Sequence, residues 1–170
     1  MSTNRLTAVL IVALVAYAAA PALLGLGKPQ KVTIGPTAEV AESSSGLTFQ
    51  ARVDTGAAKT SVHFEDLVIE DESPDPAENI GKKAKVLLDD GAGSRAWVDT
   101  KIVDRTVVKM DAHREERYNI EIELSVLGVQ KPALVTLNDR SRLKYPLLLG
   151  REYLTGDFVV DTGHVTEKVN

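Results

Sequence analysis

The chain has no cysteine, only 5% aromatic residues, and no basic excess, with 20 Lys and Arg against 24 Asp and Glu. Each shortage excludes something. Without Cys there is no disulfide framework, no Cys-based zinc site and no thiol nucleophile. Without a basic surplus there is no electrostatic footprint for nucleic acid, so none is expected as a partner. No Gly-x-x-x-x-Gly-Lys sequence is present, so no loop is built to cradle a nucleotide phosphate. The three histidines, His63, His113 and His164, are dispersed and show neither HxxxH nor HExxH spacing. No metal and no cofactor are therefore expected. With so few aromatics, any core must be made mostly of Val, Leu, Ile and Ala.

What charge there is lies unevenly. From Leu6 to Gly27 no residue is charged, and only Arg5 precedes that gap. At about 1.5 Å per residue, some twenty apolar residues match a hydrocarbon core of roughly 30 Å. The segment reads as a signal anchor that ties the chain to a membrane. A cleaved signal peptide, with Ala16-Tyr17-Ala18 as its small-x-small site, is the alternative. Either would leave the body across a bacterial inner membrane, in the periplasm. The expected organisation is a signal segment at 1–27, a linker at 28–46, a folded domain at 47–163 and a tail at 164–170. Gly35-Pro36 and Ser43-Ser44-Ser45-Gly46 suggest the linker, with room for a short strand at Lys31–Ile34.

The body reads as short strands at regular spacing. Leu47–Asp54 alternates, with Leu47, Phe49, Ala51 and Val53 on one face and Thr48, Gln50, Arg52 and Asp54 on the other. Lys83–Leu88 and Ser94–Asp99 flank the Gly-rich stretch Asp89–Gly93, as in a β-hairpin. Tyr118–Leu127 alternates again before Gly128. Leu147–Leu149 is a continuous apolar run, as in a buried strand, and Gly150–Thr155 can form a helical turn or two. Thr60–Phe64, Leu67–Ile69, Thr106–Lys109 and Phe158–Asp161 complete the set. Asp111–Arg117 reads as a solvated charged turn and Glu70–Asn79 as an acidic loop. The expected fold is all-β, a closed barrel with one short C-terminal helix.

Asp54-Thr55-Gly56-Ala57 breaks the first alternating strand. An Asp at that exit into a tight Gly turn holds its carboxylate at a fixed angle. Two such carboxylates about 3 Å apart cannot both ionise, so they share a proton. One can then take a proton from water while the other donates to a peptide carbonyl, which is hydrolysis without metal or covalent intermediate. Three residues alone are also what an ordinary turn contains, so the surroundings matter.

Those surroundings carry a resemblance. Arg52-Val53-Asp54-Thr55-Gly56-Ala57-Ala58-Lys59-Thr60-Ser61 resembles the active-site loop of retropepsin-like aspartic peptidases. Tyr145-Pro146-Leu147-Leu148-Leu149-Gly150-Arg151-Glu152-Tyr153-Leu154 resembles their second signature. Asn138-Asp139-Arg140-Ser141-Arg142-Leu143 is similar to the bacterial group often labelled "ATP-dependent zinc protease", a label that says nothing by itself about ATP or zinc. The resemblance implies a half-pepsin fold made whole by homodimerisation, acting on peptide or protein substrates. It implies an acid–base role for Asp54, a loop held by Thr55, Gly56 and Ala57, and support from Gly150 and Arg151. The hairpin tip Asp90-Gly91-Ala92-Gly93 becomes the flap candidate. The interval between the two signatures is longer than in a minimal retroviral-type subunit, so extra strands or loops must be accommodated.

Several features have plainer readings. Asp161-Thr162-Gly163 repeats the first motif, but so soon after Gly150 it reads as a strand end with a polar turn. The histidines read as exposed loop residues, and Ser61 with His63 is too close in sequence to make a nucleophile–base pair. Asp71, Glu72, Asp75 and Glu78 lack the spacing of a calcium loop. Two other functions stay open at this stage. One is a noncatalytic envelope module that binds a partner peptide by strand addition. The other, suggested by the group's label alone, is a metal-dependent hydrolase.

Overall fold

The structure is a computed structural model that describes residues 30–109 and 114–166. The apolar segment at Leu6–Leu26 lies outside the described residues, as does His113. Among the described residues no helix is long and apolar enough to cross a membrane.

Short-period alternation builds most of the strands. β1 is Val32–Ile34 and β2 is Thr37–Glu42, both within the stretch expected to be a linker. The folded unit begins at Lys31. In β2 the inward residues are Ala38, Val40 and Glu42. A buried carboxylate hides the alternation from a hydrophobicity count. It is tolerated because Glu42 accepts hydrogen bonds from Ser44 N (3.1 Å), Ser45 N (2.7 Å) and both serine hydroxyls. The serine run is thus the turn into β3, Thr48–Val53, whose alternation is as expected, with Phe49, Ala51 and Val53 buried.

β4, Thr60–Ile69, is one strand where two were expected; a bulge between Phe64 and Asp66 interrupts its apolar pattern. A 3-10 turn at Pro76–Asn79 follows, capped by Asp75, so the acidic loop is ordered by its own side chains. β5, Lys83–Asp89, and β6, Arg95–Lys109, form the Gly-tipped hairpin. β7, Arg114–Val126, begins within the expected charged turn: Arg114–Arg117 pair with Val107, Val108 and their neighbours on β6. β8, Val129–Asn138, returns through Leu127 and Gly128, both at positive φ (50° and 79°), as a two-residue primed turn requires. β9 (Leu147–Leu149), α1 (Arg151–Leu154) and β10 (Phe158–Val160) complete the chain.

The fold is therefore all-β with one short helix, but the sheet branches instead of closing as a simple barrel. Its strand order is β2-β3-β9-β4-β5-β6-β7-β8, with cross-pairings β2–β7 and β4–β8. β1 and β10 form a separate parallel pair. The branching arises because β4 has three partners along its length: β9 and β8 near its start, β5 from Phe64 onward across the bulge. The core is aliphatic, as the composition demands, with Val40, Phe49, Val62, Val86, Leu88, Ile102, Ile120, Leu124, Leu147 and Leu149 among its members.

Candidate active site

Asp54 is placed by two parallel neighbours. β3 lies in register with β9, Val53 opposite Leu149, and Asp54 N donates to Leu149 O at 3.0 Å. Past that bond the chain turns. Asp54 Oδ1 accepts from Gly56 N (2.9 Å) and Ala57 N (3.2 Å), which fixes the carboxylate at the head of the loop. The side chain is half-buried, while Thr55 and Gly56 are exposed. One aspartate faces outward, with one carboxylate oxygen held by backbone amides and the other free of hydrogen bonds within the described residues.

The second signature lies against this loop. Arg151 Nη1 donates to Thr55 O (2.9 Å) and Gly56 O (2.8 Å), satisfying two carbonyls that the turn leaves unpaired. Arg151 N and Glu152 N donate to Ala57 O and Ala58 O. Gly150 N donates to Thr60 Oγ1 at 3.1 Å, and a Cβ at Gly150 would lie 2.3 Å from Lys59 O. Glycine is required here by the closeness of two backbones. Asp54, Thr55, Gly56, Ala57, Gly150 and Arg151 are thus brought into one assembly. Lys59, at the end of the loop, reaches Thr106 Oγ1 (3.0 Å) on β6.

The second Asp-Thr-Gly repeats this construction. Asp161 N donates to Ile34 O at 3.0 Å, and Gly163 N to Asp161 Oδ1 at 2.9 Å. Gly35 takes the part of Gly150: its N donates to Thr166 Oγ1 at 2.8 Å, and a Cβ there would lie 2.2 Å from His164 O. The turn is exposed and follows a strand end, as the sequence suggests, and among the described residues no arginine braces it as Arg151 braces the first.

The tip of the flap candidate is held by its own hydrogen bonds. Asp90 Oδ1 accepts from Ala92 N and Ser94 N, and Gly91 and Gly93 sit at φ 71° and 109°. Asp89, buried beneath it, accepts from Gly91 N (2.7 Å) and Arg95 Nε. Burial raises the Asp89 carboxyl, but the Arg95 and Gly91 hydrogen bonds and the Arg95 charge outweigh it, so the group titrates below its ordinary range. The tip rests on Pro146: a Cβ at Gly91 would lie 3.3 Å from Pro146 Cγ. Pro146 precedes Leu149 by three strand residues, so the tip stands about 10 Å along β9 from the level of Asp54.

Beside the tip is a cavity of about 320 Å³ lined by His63, Glu65, Asp89, Arg95, Arg140 and Lys144, among others. Sequence reasoning missed this group. His63 is buried on β4 at 6% exposure, not in an exposed loop. Ser61 Oγ accepts from Arg140 Nη1 (3.0 Å) and His63 Nδ1 from Arg140 N (3.1 Å), so neither is arranged to activate the other. The only signal was the block Asn138–Leu143, which marked a family and no chemistry. Among the described residues no group of three or more His, Asp or Glu side chains is arranged to hold a metal ion.

No curated protein matches the chain. A solved structure of a Legionella pneumophila protein of unknown function, described as DUF785, is 21% identical and superposes with a TM-score of 0.65, covering 79% of this chain and 96% of that one. That likeness is one of fold. Residues 35–168 match the RimB-like family, described as "Retropepsin-like aspartic endopeptidase RimB", and the match begins at Gly35, within the expected linker. The braced Asp-Thr-Gly turn and that match together place the chain in the RimB-like family of retropepsin-like proteins.

Proposed function

We propose that the protein is an aspartic endopeptidase in which two copies of Asp54, one from each subunit of a homodimer, share a proton and activate a water molecule. The observation that carries this reading is the Asp54 turn held from below by Gly150 and Arg151, in a chain of this family. A single carboxylate per chain needs a twin at about 3 Å before one can stay protonated while the other acts as base. The ionised member takes a proton from water, the protonated member donates to the peptide carbonyl, and the roles reverse as the amine leaves. Thr55, Gly56 and Ala57 hold the loop. The tip Asp90–Gly93 covers the bound peptide and excludes water. The chemistry calls on no metal or cofactor. In the same reading, the apolar segment at 6–26 tethers the protein to the bacterial inner membrane with its body in the periplasm.

Asp54→Asn is expected to abolish peptide cleavage while leaving the far-UV circular dichroism unchanged, and cleavage by the variant would refute the mechanism. The wild type is expected to show a bell-shaped pH profile and to be indifferent to chelators. A second reading is favoured by the isolated parallel pair β1–β10, in which the described pairings leave each strand with one neighbour. Such edges suit a noncatalytic module that binds a partner peptide by strand addition. Binding of library peptides with no cleaved product at any pH would select it.

A further inference from the structure

His63 grips the Arg140–Pro146 loop at both ends. Its backbone N donates to Pro146 O at 2.7 Å, and its ring Nδ1 accepts from Arg140 N at 3.1 Å. The second bond exists only while Nδ1 carries no proton, because a protonated nitrogen would face the amide as donor against donor. Arg140 is in turn the hub of the loop: Nε donates to Tyr145 O (3.0 Å), Nη1 to Ser61 Oγ (3.0 Å), and its carbonyl accepts from Leu143 N (2.8 Å). The loop ends in Pro146, on which the Gly91 tip rests.

We propose that His63 is a proton-sensitive latch: its neutral ring clamps the Arg140 end of the loop beneath the hairpin tip, and protonation of the ring releases that end while Pro146 stays on the His63 backbone. The groups facing the ring supply both sides of the switch. On β4, Glu65 Oε1 lies 3.4 Å from Nε2, and from the loop Asp139 Oδ1 lies 3.8 Å from Nδ1. Both carboxylates favour a charged ring, and so does Asp89 on β5. Asp139 is already on the Nδ1 side, so a new N–H there exchanges the Arg140 amide for a carboxylate. Against protonation stand Arg95 on β6 and Arg140 and Lys144 on the loop, all lining the same cavity. Arg140 has no carboxylate within ion-pair distance among the described residues, and a second buried cation beside it repels it. Burial, with Arg117 second, lowers the Arg140 pKa, as expected of a cation that nothing offsets. The clamp therefore holds while Nδ1 carries no proton and is lost when the ring takes one up.

The test uses the full-length chain and needs no enzymatic activity, so it can be run in the Asp54→Asn background and fail independently of the peptidase reading. Hydrogen exchange at the Arg140 amide, corrected for the intrinsic rate, is expected to lose at least tenfold in protection between pH 8 and pH 5, the window in which imidazoles titrate. Trp97, the only tryptophan in the chain, lies on β6 two residues from Arg95 and is half-exposed, so its emission should change over the same range. In His63→Gln, whose amide oxygen can accept from Arg140 but takes up no proton, both transitions should vanish. In His164→Gln both should persist. Unchanged Arg140 protection in the wild type overturns the proposal even if His63→Gln fails to fold. The same transition surviving in a folded His63→Gln overturns it equally.

Discussion

At Gly150 a single hydrogen atom decides whether two backbones can touch. A Cβ there would sit 2.3 Å from Lys59 O and 2.5 Å from Lys59 C, and neither backbone atom can swing aside as a long side chain could. Gly150→Ala is expected to lower stability by about 1–3 kcal/mol, measured by denaturant unfolding, with a larger loss of cleavage because the Asp54 loop is displaced. Asp161 makes the opposite case. Its turn copies that of Asp54 but lacks an Arg151 equivalent, so Asp161→Asn is expected to leave the cleavage rate of folded protein unchanged. The bringing together of Asp54, Gly150 and Arg151 was legible in the sequence, because they sit in recognisable strings. His63 was not, because a lone histidine in a strand whose burial does not alternate gives no sign of whether its ring points to water or to a buried amide.

At the scale of elements, the Gly-tipped hairpin was readable because its strands alternate cleanly around a Gly-rich tip. What could not be read is how firmly the tip is held. Asp89 is the holding group, and its depressed carboxyl carries a pH signature. A folded-state pKa below the ordinary carboxylate range contributes stability that is present above that range and disappears as pH falls through the depressed value. Asp89→Asn is expected to lose about 1 kcal/mol at pH 7, the low end for a charge-assisted bond because Arg95 is 56% exposed. The gap from the wild type should close as thermal unfolding is followed down toward pH 2. β2 and the start of β7 escaped sequence reading for a shared reason. Each carries charged residues in strand positions, Glu42 inward and Arg114–Arg117 along a paired edge, and hydrophobic periodicity does not register a strand held by hydrogen bonds to carboxylates or by a neighbouring strand.

For the molecule as a whole, an all-β class followed from the spacing of strands and turns, whereas the branching of the sheet did not. The pairings that branch it, β4 with β8 and β2 with β7, join segments far apart in sequence, as does β3 with β9, and local pattern carries no record of them. The proposed dimer is a property of this scale too. If two chains supply the two carboxylates, specific activity should rise with protein concentration in the dilute range and level off where sedimentation shows the dimer to be complete. Activity per chain that stays constant through dissociation would contradict a shared site.

The bracing of Asp54 by residues near the far end of the chain also governs when the loop can take shape during synthesis. Among the described residues, Arg151 alone satisfies the carbonyls of Thr55 and Gly56, and Asp54 N finds its acceptor at Leu149. A ribosome adding about 5–20 residues per second releases the aspartate well before its supports. Throughout that interval a growing polypeptide holds the aspartate but not its cradle, so under the proposed mechanism the nascent chain cannot cleave until Leu149 and Arg151 have been added.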